Sequence, residues 1–367
     1  MRKYVAKRNP VSKLNSIRER AKALCAVLAA LFVLPLAASL TIAQSGRQPQ
    51  QPEPPPPSRT QGQRPTVTPK EKDNRPRRVT EEPQDEDSIK LSSNLVTVVT
   101  SVTDAAGNQV NDLTEKDFVI YEDNEPQEAA GFYREGQMPL RMIFLFDSSS
   151  SIRHRFDFEQ RAAAQFFRHI MRPGDQGAII SVSTDPKLEV QFTGDVEKIV
   201  GGLAGLKPEG ATALYNSMIE AARYIRPSEG RHIMVVLSDG TDTSSSANLS
   251  QALKEVQISD AVIYAVHSTG VAPSANVQDL AGEFVLKAIA EDTGGRAFFP
   301  PIYDDPKKEA RDLDEIYRRI AAEVRAQYVL TYYSGSNPRP GTFKTIRVEV
   351  KRPGLQVRTR RGYYTAK

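Results

Sequence analysis

The chain reads as an α/β protein, a doubly wound and mostly parallel sheet with a small β-sandwich built from the segments on either side of it. Three observations lead there. Between residues 141 and 333, apolar runs of strand length alternate with patterns of helical period. Outside that region the hydrophobic period drops to two, the mark of half-buried strands. Before both lies a stretch with almost no large apolar residues, which cannot form a core. At 367 residues the chain has room for one ordinary domain, a smaller one and tails.

Taken in order, residues 1–43 form a signal peptide or signal anchor. Eight Lys and Arg against Glu19 alone give residues 1–22 a charge of +7, so a chain that totals +4 carries −3 over the rest. A nucleic-acid partner is not expected, because the basic residues sit mostly in this leader. An uncharged stretch, Ala23 to Ala43, follows. Its small residues at Thr41 and Ala43 suit cleavage before Gln44, while its length also permits retention as a membrane anchor. Cys25, the only cysteine, lies at the start of this stretch rather than at its end, so a lipid anchor is not indicated. Cleavage leaves no cysteine for a disulfide, a thiolate metal site or a nucleophile. Residues 44–87 are rich in Pro, Gln and charge, with eight positive and eight negative groups and the run Pro54 to Pro57. They read as a disordered linker that holds the folded part away from the membrane or cell wall.

Residues 88–138 are an N-terminal β-segment. The runs 94–102 and 117–121 alternate, with a turn at Asp104-Ala105-Ala106-Gly107-Asn108 between them. Residues 139–333 carry the alternating βα pattern. Strands are expected at 141–147, 177–183, 188–193, 231–238, 261–267, 296–299 and 328–333, and helices at 156–171, 196–206, 213–226, 248–258, 284–292 and 312–326. Right-handed crossovers then give a largely parallel sheet covered on both faces. The strand near 188 follows its predecessor after only Thr184-Asp185-Pro186 and should be an antiparallel edge. Residues 334–367 alternate again at 345–351 and 355–359 around Arg352-Pro353-Gly354, which reads as a hairpin. Each flank is too short for its own core. The two are expected to pack together as one sandwich, the rival being that each extends an edge of the central sheet.

Five oxygen-bearing side chains stand where open α/β sheets bind ligands, beyond the carboxyl ends of strands. Asp147, Ser149 and Ser151 follow the first central strand as D-x-S-x-S. Thr212 precedes a helix, and Asp239 ends the strand 231–238. Two carboxylates and three hydroxyls, completed by water, suit Mg²⁺ or Mn²⁺ and are poor for zinc. Taken singly the pieces are unspecific, because each occurs as a helix cap or a polar turn. Together, each at the correct end of an element, they point to a metal site.

Asp147-x-Ser149-x-Ser151, Thr212 and Asp239 match, in order, the metal-ion-dependent adhesion site (MIDAS) of von Willebrand factor A-like (VWA) domains, which the central domain resembles. The flanks are similar to those of the VWFA-related group described from acidobacteria: a secretion signal, a β-segment of the form Leu113-Thr114-x-x-Asp117-Phe118-x-x-Tyr121-Glu122-Asp123, the A domain and a closing β-segment. The resemblance implies that the hydroxyl residues and one or both Asp residues hold the metal, directly or through water. It further implies a protein ligand that fills the remaining position with an Asp or Glu.

Other residues carry two readings each. Asp242 is a solvated loop acid or a charge behind the metal, and His267 is a strand-end histidine or a ligand contact. Asp304, Asp305, Asp312 and Asp314 lack calcium-loop spacing and fit a helix start. From Ser334 onward nine Lys and Arg face Glu349 alone, as a solvated strand face or a surface for anions. Neither G-x-x-x-x-G-K-[ST], G-x-G-x-x-G nor G-x-S-x-G is present, and the four histidines (154, 169, 232, 267) offer a serine nucleophile no convincing base. The expected function is therefore non-enzymatic. An extracytoplasmic adhesion module docks an acidic partner residue through Mg²⁺, with no membrane contact beyond an uncleaved anchor. The alternatives are a tethered envelope scaffold in which the metal only stabilises the fold and, further off, a serine hydrolase.

Overall fold

The computed structural model describes residues 95–134, 136–150, 153, 155–269, 277–302, 305–335 and 339–365. All of them belong to the unit Glu81–Lys367. The signal or anchor (1–43) and the linker (44–87) lie outside the described residues, as do Ser151, His154 and Asp304. Among the described residues no helix is long and apolar enough to cross a membrane.

The central sheet contains β5 (Leu140–Asp147), β6 (Gln176–Val182), β7 (Lys187–Thr193), β8 (Arg231–Ser238), β9 (Val262–His267) and β10 (Arg296–Phe298), in the order β10-β9-β8-β5-β6-β7. All neighbours are parallel except β7, the antiparallel edge the short Thr-Asp-Pro connection requires. Strand β5 shows why its sequence is a continuous apolar run. Met142, Phe144 and Phe146 enter one core with α1 (Phe156–Ile170), α2 (Val196–Gly205) and α6 (Pro306–Ala326). Ile143 and Leu145 enter the other with α3 (Leu214–Ile225), α4 (Leu249–Ile258) and α5 (Val277–Thr293). A strand buried on both faces has no polar alternate position, and each such side chain contributes roughly 1.5–3 kcal/mol. The chain leaves β5 for β6 on one side and returns through α2 and α3 to β8 on the other. Strand order therefore reverses around β5.

Two helices begin before their expected starts. Helix α5 starts at Val277 rather than 284, and α6 at Pro306 rather than 312. In α6 the start signal is Asp305 at the N-cap, accepting from the Lys307 N–H at 2.9 Å, followed by Pro306 in the first turn. The exposed first turn of α6 carries no apolar period to extend the pattern backward.

The flanks form two four-stranded antiparallel sheets, and neither joins the central one. One has the order β13-β1-β11-β4, with β1 (Leu95–Thr103), β4 (Ala129–Tyr133), β11 (Tyr328–Tyr333) and β13 (Gln356–Thr359). The other has the order β14-β12-β2-β3, with β2 (Phe118–Glu122), β3 (Glu125–Gln127), β12 (Phe343–Val350) and β14 (Gly362–Tyr364). Val98, Tyr328 and Leu330 of the first share a core with Phe118, Ile120, Ile346 and Val348 of the second, so the sheets face each other as a sandwich.

Two sequence expectations need correction here. Residues 328–333, expected as the last strand of the βα repeat, pair with β1 and β4 and belong to the sandwich. Residues 345–351 and 355–359 do not form a hairpin: β12 pairs with β2 and β14, and β13 with β1. The Arg352-Pro353-Gly354 turn carries the chain from one sheet to the other. Two half-buried strands can meet one core from the same sheet or from opposite sheets, and alternation is identical in both cases.

The junction between domain and sandwich is polar and buried. Glu323 of α6 accepts from Tyr264 Oη at 2.8 Å and from the Arg358 guanidinium, with Arg296 Nε at 3.5 Å. Gln327 Nε2 donates to Tyr264 Oη at 2.9 Å.

Candidate metal centre

The site begins where β5 runs out. Asp147 is only 1% exposed. Its Oδ1 accepts the Ser149 N–H at 2.9 Å and its Oδ2 accepts the Ser238 hydroxyl at 3.0 Å. Burial first, and then the charge of Asp239, push this carboxyl up to about 6 against the pull of the Ser149 and Ser238 bonds. Just past the end of the neighbouring β8, Asp239 is half-buried and its Oδ1 accepts the Thr241 N–H at 2.9 Å and hydroxyl at 2.6 Å. Its position is fixed by a close backbone approach. Gly240 has φ +81°, and a Cβ there would lie 2.2 Å from the Gly282 carbonyl oxygen of α5, so no side chain is tolerated at that point.

Three loops are stitched into one rim. The Glu209 N–H donates to Ser148 O at 2.6 Å and the Ser150 N–H to Gly210 O at 3.1 Å, which tie the Thr212 loop to the β5 loop. The N–H groups of Thr243 and Ser244 donate to Thr212 O at 2.9 and 3.1 Å, and the Thr212 N–H to Thr243 Oγ1 at 3.1 Å, which tie it to the β8 loop. Asp147, Ser149, Thr212 and Asp239 thus stand on joined loops at one end of the sheet. Ser151 lies outside the described residues.

Asp242 has a role that neither sequence reading gave it. Its Oδ2 accepts the Tyr215 N–H and its Oδ1 the Ser245 N–H, both at 2.9 Å, so it caps α3 from another loop. Thr212 does not supply that cap: the N-cap of α3 is Ala213, and the helix has no side-chain cap bond from its own segment. The Asp242-Thr243-Ser244-Ser245 spacing is typical of an Asp side chain that closes its own turn, and nothing in it points to Tyr215. His267 stands in register with Ser238 on the neighbouring strand and lies against Phe299, with ring centroids 6.1 Å apart.

The remaining candidates are structural. Asp305 caps α6, and Asp314 bonds Arg318 one turn later. Among the described residues, several C-terminal cations are each paired with an acid. Lys344 pairs with Asp123, Arg352 with Asp112, Arg358 with Glu323, Arg360 with Asp260 and Arg361 with Asp292. The residues of the Leu113-to-Asp123 motif are packing devices: Thr114 and Asp117 bond each other, Phe118 is buried, and Tyr121 lies under the Arg347 guanidinium at 3.8 Å. Asp123 turns with φ +48° and accepts from the Thr345 N–H at 2.9 Å.

The donor chemistry fits a hard divalent cation. Among the described residues, no Lys, Arg or His forms an ion pair with Asp147 or Asp239; Arg155 pairs instead with the buried Glu159, whose carboxyl is pushed up by burial and by the charge of Asp147. No three His, Cys, Asp or Glu side chains converge as a metal cluster among the described residues.

Residues 142–241 match the family model of the von Willebrand factor type A domain. No curated protein matches the chain. Similar solved structures include the vWF domain of the type V pili tip protein Mfa5 from Porphyromonas gingivalis, 13% identical with a TM-score of 0.40 over 50% of this chain and 95% of that one. The PilB minor pilin from Streptococcus sanguinis is 13% identical, with a TM-score of 0.39 over 51% of this chain and 62% of the pilin. The pilus adhesin SpaC from Lactobacillus rhamnosus GG is 9% identical, with a TM-score of 0.41 over 66% of this chain and 47% of the adhesin. The likeness therefore spans less than two thirds of the pilin and of the adhesin. The strand order, the helices on both faces of the sheet and the family match over 142–241 together identify the central domain as a von Willebrand factor type A domain.

Proposed function

We propose that this chain is an extracytoplasmic binding module that holds Mg²⁺, or Mn²⁺, with Asp147, Ser149, Ser151, Thr212 and Asp239, and docks an acidic side chain of a protein partner on it. The observation that carries the proposal is the pair of carboxylates on one stitched rim, one of them buried and neither in an ion pair with a cation among the described residues. A buried carboxylate left so is costly, and a divalent cation relieves the cost. With only two carboxylates in the donor set the cation keeps a net positive charge, which a carboxylate of a partner neutralises. The export pattern of residues 1–43 supports a place outside the cytoplasm, secreted, in the cell envelope or held by an uncleaved anchor.

The reading includes no reaction on the partner. Both ring nitrogens of His232 are engaged, with Ser259 O at 2.6 Å and Ser228 O at 2.9 Å, at the start of β8 and far along the strand from the rim. His267 is aligned with Ser238 and not with the Ser148-to-Ser150 turn.

The test is calorimetric titration of the chain with Mg²⁺, followed by capture of partners from the envelope and secreted fractions with Mg²⁺ and with EDTA. Parent protein is expected to bind the cation and to lose its partner in EDTA. Should Asp147→Ala bind Mg²⁺ and the same partner as well as the parent does, the reading fails. The buried junction around Glu323 favours a second reading, a scaffold whose metal only stabilises the fold. That scaffold would keep its partner in EDTA at any temperature where it stays folded.

A further inference from the structure

On the outer face of the A domain, α1 and α6 enclose a groove of about 470 Å³. Its floor is apolar, from Phe158, Ala162 and Ala310, and its walls carry Arg161, Arg311 and Arg318. Arg318 is engaged by Asp314, whereas Arg161 and Arg311 are exposed and form no ion pair among the described residues. None of these residues belongs to the metal rim. We infer that this groove binds an acidic peptide segment of a partner protein, with carboxylates on the guanidinium groups and an apolar side chain on the floor.

Charge and shape decide the occupant together. Guanidinium groups pair with carboxylates in a two-pronged geometry and lose little hydration in doing so, which is why Arg is enriched in interfaces. A neutral apolar helix would cover these cations without replacing their water. A bare polyanion would satisfy them and leave the Phe158–Ala162–Ala310 floor uncovered. A segment with both kinds of side chain meets both demands, and it needs no metal.

The test uses the full chain in EDTA, so that the metal rim contributes nothing. The probe is a fluorescein-labelled peptide, Glu-Leu-Glu-Glu-Leu-Glu-Glu-Leu, followed by fluorescence polarisation. The peptide is expected to bind, and its counterpart with Gln for Glu to bind at least about ten-fold more weakly, the loss of roughly one charge-assisted contact. Arg161→Glu with Arg311→Glu is expected to weaken the acidic peptide at least about ten-fold as well, with unchanged thermal unfolding. Lys198→Glu with Lys207→Glu changes net charge equally on exposed residues elsewhere and is expected to leave binding intact. Equal binding by the double arginine variant overturns the inference, as does equal loss in the lysine control. It is also overturned if poly-glutamate or polyphosphate binds as tightly as the Leu-containing peptide, since the groove would then be a plain cationic surface. Failure of Asp147→Ala to bind Mg²⁺ has no bearing on these outcomes, so the two proposals stand or fall separately.

Discussion

Two carboxylates are almost equally hidden in this molecule, and their surroundings are opposite. Glu122 in the sandwich is 4% exposed and Asp147 in the A domain 1%. Around Glu122 the protein provides what a buried anion needs. Tyr332 Oη and Tyr363 Oη donate at 2.8 and 2.9 Å and Ser334 Oγ at 2.7 Å, with Lys344 Nζ at 3.8 Å. The tyrosines bear the trace of that arrangement: burial first, then the bond to Glu122, push the Tyr363 phenol up to about 12 and Tyr332 further in the same direction. Around Asp147 there are one N–H and serine hydroxyls, and the charges coupled to it are the carboxylates of Asp239 and Glu159. A buried acid that is completed from within holds a structure together. One without an ion pair among the described residues, at a strand end where ligands bind, is where the proposed cation would be held.

The sharpest way to break this contrast is to truncate each acid in turn. Glu122→Ala takes the shared acceptor from three hydroxyls, while Lys344 keeps Asp123, and should lower stability by roughly 3–5 kcal/mol, read as a fall in the urea midpoint. Asp147→Asn, in EDTA, should raise the midpoint, because it removes an uncompensated charge while keeping an acceptor for Ser149. If both substitutions destabilise to a similar degree in EDTA, the two acids are alike and the comparison is wrong.

The next largest effect is in pH. The Asp147 carboxyl titrates near 6 in the folded chain against 3.8 as its ordinary value, so the folded state binds the proton more tightly than the unfolded one. Stability linked to this group is therefore fully present below pH 3.8 and is lost as pH rises through 6, by on the order of 3 kcal/mol without a cation. Mg²⁺ should flatten or invert that slope, since protons compete with it for the carboxylate. Urea unfolding across this range, in EDTA and in Mg²⁺, measures both slopes. An identical slope in parent and Asp147→Asn would show that the shift lies elsewhere.

A smaller effect separates scaffold from site within the rim itself. Asp242→Ala frees the first turn of α3 and loosens the loop that follows Asp239, and should cost about 1–2 kcal/mol of stability. Cation affinity should fall by no more than a few-fold, as Asp242 is not among the donors; a loss equal to that of Asp239→Ala would make it one.

Much of this was legible in the sequence, and what was not has a physical reason. Strand β5 and its Asp147 were visible because an apolar run buried on both faces, ended by D-x-S-x-S, has few other foldings. The edge position of β7 followed from a connection too short for a crossover. The strand at 328–333 was found in its place along the chain but assigned to the wrong sheet, because an apolar strand after a helix does not reveal its neighbours. The Asp242 cap, the pairing of the C-terminal cations and the closure of the rim all depend on partners 27 or more positions away, and no local pattern encodes them. Glu122 illustrates the same limit. Its motif resembled that of a family, yet its chemistry became apparent only when Tyr332, Ser334 and Tyr363 converged on it from the far end of the chain.

The smallest effect tests how Asp239 is presented. Thr241 donates both its N–H and its hydroxyl to Asp239 Oδ1, at 2.9 and 2.6 Å, which engages that oxygen and leaves Oδ2 as the free edge. Thr241→Val keeps the shape and the N–H and removes only the hydroxyl. The carboxylate can then rotate, and a cation must pay to fix it again, at about 1 kcal/mol or roughly five-fold in Kd. Stability in EDTA should change by less than that, since Asp239 is half-buried and water can take the vacated position. Affinity for Mg²⁺ that is unchanged in Thr241→Val while Asp239→Ala abolishes it would mean that Asp239 acts by charge alone, with no orientation supplied by its neighbour.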